Sequence, residues 1–137
     1  MVELTEDQIE RYSRQLLLPG WGTREQRALG DAYVTVSARA EAAALYLAGA
    51  GVGRISLLFA ADDVLATRLR RLNPDLEINH WRSNLPSPDA VLILADEEAP
   101  QTLVKDTIMT SETNLSAQTL LAARLIKRLI AGRGQRA

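Results

Sequence analysis

The sequence predicts an α/β fold, with a mostly parallel sheet of about four strands flanked by helices. Two observations carry this prediction. The apolar segment from Tyr33 to Ser37 runs into an alanine-rich helical segment over residues 40–50, and then into a second apolar segment, Arg54 to Phe59. Farther along, Ala90 to Leu94 is continuously apolar, which is typical of a central parallel strand covered on both faces. Strand and helix patterns that alternate in this way indicate βαβ units.

The residues before the first strand are predicted to form two short helices. Thr5 and Gln8 have the spacing of a capping box, so a helix is expected to begin there and to end at Pro19-Gly20. A second helix is expected to begin near Thr23 and to stop at Gly30, where glycine would supply a left-handed cap. This N-terminal part therefore leads directly into the first strand.

Three glycines follow the alanine-rich helix, at Gly49, Gly51 and Gly53. A phosphate-binding loop has the order strand, loop, helix, whereas these glycines follow a helix and precede a strand. They are therefore interpreted as a tight turn from helix to strand.

The second half of the chain is predicted from its apolar spacing and its turn residues. A helix is expected from Asp63 to Leu72, and a half-buried edge strand from Leu76 to Trp81. The segment from Ser83 to Asp89 reads as a loop. Further helices are expected over 99–109 and, closing the fold, over 115–132.

The composition is that of a compact globular domain. Of 137 residues, 47% are hydrophobic and 24% are charged, and the 16 basic and 17 acidic residues give a formal net charge of -1. Such a chain attracts neither nucleic acid nor anionic lipid by charge alone. No apolar run approaches the roughly 20 residues that span a bilayer, and the first residues are acidic where a signal peptide is basic. A cytoplasmic protein without membrane or nucleic-acid partners is expected.

The chain contains no cysteine and one histidine, His80. Cysteine-bound zinc and thioester chemistry are therefore excluded, and no metal site is expected. His80 is interpreted as an ordinary residue at the end of a strand.

Four segments between Leu4 and Ile78 carry a specific pattern. They read Arg11-Tyr-Ser-Arg-Gln-Leu-Leu-Leu-Pro19, Leu29-Gly-Asp-Ala-Tyr-Val34, Ala44-Leu-Tyr-Leu-Ala-Gly-Ala-Gly-Val-Gly-Arg-Ile55 and Leu72-Asn-Pro-Asp-Leu-Glu-Ile78. This pattern resembles the ubiquitin-activating-enzyme-like superfamily, especially the bacterial sulfur-carrier adenylyltransferases of the ThiF, MoeB and HesA type. The resemblance implies a truncated Rossmann-like domain over residues 31–137, with a helical arm over residues 1–30 that belongs to the same domain.

Members of this family are expected to bind ATP through a glycine-rich loop after the first strand, and this chain has no glycine there. Ala38, Arg39, Ala40 and Glu41 stand in its place, and their Cβ atoms hinder close approach of a phosphate. Counted against the family, the chain is also about three residues short at this loop, which removes amide donors. No cofactor is therefore predicted.

The acids of the family's nucleotide site also lack direct counterparts. Counting without gaps places Phe59 and Ala61 where the family has acids, so Asp62 and Asp63, just beyond, are the remaining candidates. The alternative is that they form an acidic helix N-terminus, which suits the helix dipole. The acids from Asp96 to Glu98 follow a central strand at a ligand-binding edge, but a short acidic run before a helix is more often a solvated helix start, which is the preferred interpretation.

The family's basic residues are represented by two groups of arginines. Arg68, Arg70 and Arg71 are candidates to contact a nucleotide, or they form the solvated face of a helix. The resemblance implies that Arg14, with Arg11 beside it, reaches across a dimer interface as an arginine finger. The alternative is that both arginines pair with local acids.

Three functions remain open. The leading hypothesis is a non-catalytic member of the family, a pseudoenzyme that acts as a homodimer or as the partner of an active adenylyltransferase or carrier protein. The enzyme alternative is an adenylyltransferase, dependent on ATP and magnesium, that acts on a ubiquitin-like sulfur-carrier protein through a rearranged site. The third is a purely structural interaction domain. The missing loop, acids and cysteines favour a protein without enzymatic activity.

Overall fold

The computed structural model describes residues 6–11, 22–94, 96–98, 100, 101, 103, 107–110 and 115–134. The helices in these ranges are α1 (Glu6–Arg11), α2 (Thr23–Gly30), α3 (Glu41–Ala50), α4 (Val64–Leu72) and α5 (Leu115–Gly134). The strands are β1 (Tyr33–Ser37), β2 (Arg54–Leu58), β3 (Glu77–His80), β4 (Ala90–Leu94) and β5 (Thr107–Thr110). A search of the described helices finds none with the length and apolar character needed to cross a membrane.

The strands form one parallel sheet in the order β3-β2-β1-β4-β5. Val34 of β1 is in register with Ile55 on one side and with Ala90 on the other, so β1 lies at the centre. The β4 strand is also paired on both sides and is buried throughout, as its continuously apolar sequence predicted. The predicted Rossmann-like fold is confirmed, with one strand more than expected among the described residues.

A layer of helices covers one face of the sheet. The α3 helix contacts both α4 and α5, and α5 also contacts α2. Alanine favours helix and has no side chain beyond Cβ, so the fully buried Ala43, Ala44 and Ala48 let α3 pack closely. The strands contribute side chains to this core at alternate positions, as a pleated strand requires: Val34, Val36, Ile55, Leu57, Leu92 and Leu94.

The opposite face carries a smaller apolar cluster. Leu58, Val91, Ile93 and Leu103 are buried together, with Trp81 packed against them. The connection from β3 to β4, over residues 81–89, consists of turns and loop rather than a crossover helix, as predicted for most of its length.

A polar row crosses three strands on this opposite face. The Tyr33 hydroxyl lies 2.6 Å from Ser56 Oγ, which lies 2.9 Å from Asn79 Oδ1. Ser56 is fully buried and has one proton, which it donates to Asn79, so the Tyr33 hydroxyl donates to Ser56. The Arg54 guanidinium carbon lies 4.7 Å from the centroid of the Tyr33 ring. This row links β1, β2 and β3 in a single register.

The glycine turns differ from the prediction in one respect. The residue after Gly30, Asp31, closes α2 in a right-handed conformation, so the left-handed cap expected there is wrong. The left-handed cap is Gly51, with φ 109°, at the end of α3. Gly53 is required for a different reason, because a Cβ at this position would overlap the Gly30 carbonyl. The predicted tight turn over 49–53 is confirmed.

The helix expected over 99–109 is wrong at its end, because Thr107–Thr110 forms β5 and pairs in parallel with β4. Two threonines and an isoleucine give this segment a β-branched sequence that favours a strand. One edge of β4 pairs with β1, and β5 pairs with the other edge.

The α1 helix begins at Glu6, where a helix was predicted, and Gln8 Nε2 donates to Asp75 Oδ2 at 3.1 Å. This contact ties α1 to the turn before β3. The predicted cap at Thr5 and the predicted helix end at Pro19-Gly20 lie outside the described residues.

Candidate functional site

The strand order places a crevice between β1 and β4. Successive strands run outward from β1 in one direction through β2 and β3, and in the other direction through β4 and β5. Ligands of open α/β sheets bind at this topological switch point, outside the carboxyl ends of the strands. In this protein the two strands end at Ser37 and Leu94.

The loop after β1 is a single turn whose amides are already engaged. Ala38 N–H donates to the Leu58 carbonyl at 2.9 Å, and Ala40 N–H donates to the Ser37 carbonyl at 2.9 Å. Arg39 N–H donates to Ser37 Oγ at 3.2 Å. None of these loop residues has a positive φ. Amides that cradle a phosphate elsewhere therefore satisfy the protein's own acceptors here.

The acid Glu97 closes the crevice from the β4 side. Ser37 Oγ donates to Glu97 Oε2 at 2.7 Å, and Leu94 N–H donates to Glu97 Oε1 at 2.8 Å. Arg39 Nη1 lies 3.0 Å from Asp96 Oδ2 and 3.9 Å from Glu97 Oε2. We call Ser37, Arg39, Asp96 and Glu97 the switch-point cluster.

The reading of Asp96 to Glu98 as a solvated run is wrong for Glu97, whose side chain is 6% exposed. Sequence reasoning missed the contact between Ser37 and Glu97 because the two residues are separated by 60 positions. The available signal was an acid close behind a central strand, opposite a serine that ends the neighbouring strand.

A second depression lies beside the crevice, between the loops after β1 and β2. This cavity has a volume of about 300 Å³ and is lined mainly by small and apolar residues, with Glu41, Asp62 and Arg68 as its charged groups. Arg68 Nη1 forms an ion pair with Glu41 Oε1 across it. Asp62 Oδ1 accepts a hydrogen bond from Val64 N–H at 3.0 Å, at the start of α4.

The other candidate residues do not line this cavity. Asp63 Oδ1 lies 2.7 Å from His80 Nε2, so His80, at the end of β3, has a specific partner in the exposed turn before α4. Arg71 is exposed on α4. The structure therefore brings Asp62 and Arg68 to one cavity and leaves Asp63 and Arg71 outside it.

Phe59, which counting placed at the position of a family acid, has an unusual backbone. Its φ is 59°, and it is the non-glycine residue with a positive φ among those described. Its side chain is an exposed large hydrophobic group, with 53% of its surface accessible. The edge of the sheet therefore presents a phenyl ring at the position where the resemblance places a family acid.

Of the two arm arginines, the structure describes the backbone of one. Arg11 is the last residue of α1, and Arg14 lies outside the described residues. The arginine-finger prediction therefore stays a prediction. Within the described ranges, no three histidine, aspartate or glutamate side chains come together in a way that could hold a metal ion.

No protein-family model matches the chain. Several relatives match part of it. The vegetative HesA protein of Trichormus variabilis is 37% identical over 103 residues, which cover 57% of this chain and 39% of that protein. The molybdopterin-synthase adenylyltransferase of Salmonella typhimurium is 43% identical over 74 residues, which cover 52% of this chain and 29% of that protein. The chain thus spans well under half the length of these relatives.

The two alignments contain positions that this chain lacks. For the Salmonella relative, 52% of 137 residues is about 71 residues, three fewer than the 74 aligned positions. For HesA, 57% of 137 residues is about 78 residues, roughly 25 fewer than the 103 aligned positions. Within the aligned regions this chain is therefore shorter than both relatives.

The fold is also found among solved structures. The E. coli tRNA N6-threonylcarbamoyladenosine dehydratase TcdA, in complex with AMP, superimposes with a TM-score of 0.57 at 17% identity, covering 71% of this chain and 54% of TcdA. At this identity the likeness establishes the fold alone.

Proposed function

We propose that this chain, which over part of its length is a member of the ThiF, MoeB and HesA family, is a non-catalytic member that acts through protein contacts. Its partner in this proposal is a second copy of itself, an active adenylyltransferase of the family, or a carrier protein. We propose the cytoplasm as its compartment and no nucleotide or metal as cofactor.

One observation carries the proposal: the switch-point cluster fills the crevice with the protein's own groups. Glu97 places a carboxylate at the position where the fold would otherwise present donors to a phosphate. Two unit charges of the same sign 4 Å apart repel by about 4 kcal/mol near a protein surface. A triphosphate entering this crevice would meet that repulsion without the loop amides that stabilise it elsewhere.

The relatives give this observation its meaning. The Salmonella relative is an adenylyltransferase by name, and TcdA has been solved with AMP. In this chain the sheet and the helical layer of such proteins are kept, while the loop after β1 is a closed turn. A retained scaffold with a closed crevice favours a role in binding other proteins.

The direct test is a calorimetric titration of the purified protein with magnesium ATP, with the Salmonella adenylyltransferase measured as the positive control. We expect no heat of binding and no thermal stabilisation at about 1 mM ATP, a concentration at which a micromolar site would be saturated. Micromolar binding to this chain would overturn the proposal.

The cavity beside Asp62 and Arg68 supports one alternative, an adenylyltransferase with a rearranged site. In that case a carrier protein would stimulate exchange of pyrophosphate into ATP, and the exchange would be lost in both Asp62→Asn and Arg68→Ala. Absence of exchange in the wild-type protein rejects this alternative.

A partner role has its own measurement. The chain is mixed with an intact adenylyltransferase from the same source, and the oligomeric state and the adenylation rate are followed, with Arg14→Ala as the variant. A mixed complex whose rate falls with Arg14→Ala supports the arginine finger. No change in either quantity leaves the homodimer and the purely structural domain, which the mass of the isolated protein in solution separates.

A further inference from the structure

The Glu97 carboxylate lies in a small set of hydrogen-bond donors. Ser37 Oγ donates to Oε2 at 2.7 Å and Leu94 N–H donates to Oε1 at 2.8 Å, so each carboxylate oxygen has its own donor. Arg39 Nη1 adds a positive charge 3.9 Å from Oε2. Two directed donors and a cation are the elements that proteins use to bind oxyanions.

These groups are held in place independently of Glu97. Ser37 is fully buried at the end of β1, and its Oγ also accepts from Arg39 N–H at 3.2 Å. Leu94 is fixed by the pairing of β4 with β5. Arg39 is held by Asp96 at 3.0 Å. The donors should therefore keep their positions when the carboxylate is removed.

We propose that this pocket is a binding site for a small carboxylate, and that the carboxylate is supplied within the chain by Glu97. The inference rests on the closed crevice of the proposed function and adds a ligand class to it. The site accepts a planar carboxylate, because each carboxylate oxygen has its own donor.

The test uses the full chain with Glu97→Ala and acetate as the probe. Replacing glutamate by alanine removes the atoms of one acetate molecule, so added acetate can occupy the vacated position. We expect about 100 mM sodium acetate to raise the melting temperature of Glu97→Ala by roughly 3–8 °C relative to sodium chloride at the same concentration and pH. The rise should saturate with acetate concentration.

Four controls separate site binding from a general salt effect. The wild-type protein and Glu98→Ala, which removes the exposed neighbouring acid, should respond to acetate by less than about 1 °C. The double variant Ser37→Ala/Glu97→Ala should lose at least half of the acetate response. Pivalate, which carries the same charge on a bulky group, should not stabilise Glu97→Ala.

An equal response of Glu97→Ala and the wild type to acetate would overturn the inference. If Glu97→Ala is unfolded in chloride, recovery of its helical circular dichroism in acetate is the readout, with Glu97→Ser as a second variant that also leaves room for acetate. No recovery in either variant rejects the site. ATP binding to the wild type would reject the proposed function and leave this result standing, so the two failures are distinguishable.

Discussion

The loops after β1 and β2 leave the same edge of the sheet side by side, yet they differ in how they end. The first is a closed turn: its amides bind the protein's own acceptors, and Ser37 donates a hydrogen bond to Glu97. The second is open: Phe59 is exposed with a positive φ, and a cavity lies beside it. The same edge of the sheet thus carries one loop that closes a crevice and one loop that leaves its side chain and a cavity accessible to solvent.

The largest expected effect comes from opening the closed loop. Glu97→Ala leaves the buried Ser37 hydroxyl and the Leu94 N–H without their acceptor, so the free energy of unfolding should fall by about 2–4 kcal/mol. Urea denaturation followed by circular dichroism measures it. Glu98→Ala is the matched control and should change stability by less than about 0.5 kcal/mol. Equal losses in the two variants would mean that the Glu97 contacts contribute nothing specific.

An intermediate effect of opposite sign is expected at the open loop. A phenylalanine in the left-handed region costs about 1 kcal/mol, so Phe59→Gly should raise the free energy of unfolding by roughly 0.5–1 kcal/mol. Phe59→Ala keeps the strained backbone and removes only the exposed ring, so it should not be stabilising. If alanine stabilises as much as glycine, the backbone is not the cause.

The smallest effect is expected for the ion pair across the cavity. Arg68 and Glu41 are both about half exposed, so Arg68→Ala should lower stability by less than about 1 kcal/mol, and the loss should shrink at high salt because exposed charges are screened. A double-mutant cycle with Glu41→Ala isolates the pair, and Arg71→Ala is the exposed control on the same helix. A coupling well above this range would show that the cavity is more shielded from water than its open shape indicates.

Those elements whose pattern is local could be predicted from the sequence. The alanine-rich α3 and the apolar β4 carry their helix and strand periods in their own residues. The β5 strand was missed although its β-branched residues favour a strand, because a segment of four residues carries too short a pattern and is fixed by its pairing with β4. The left-handed cap was predicted at Gly30 and is found at Gly51. Both residues are glycines, so residue type alone did not distinguish them.

The features of the candidate site also separate into those with a local sequence pattern and those that depend on distant contacts. The absence of glycine from the loop after β1 is visible in the sequence, because it concerns residue types at fixed positions. The contact between Ser37 and Glu97 is not visible, because it joins residues 60 positions apart and depends on β1 and β4 being neighbours. For the same reason Asp63, read as part of a helix start, is found beside His80, a residue of another element.

The polar row from Tyr33 through Ser56 to Asn79 has a consequence for how the chain folds. In a parallel sheet, a slip of β2 by one residue turns every side chain to the other face. Such a slip would move the Ser56 hydroxyl into the apolar helical layer and bring Ile55 or Leu57 opposite the Tyr33 hydroxyl. A misaligned strand would therefore bury unsatisfied hydroxyls once the helices pack, which disfavours the wrong alignment.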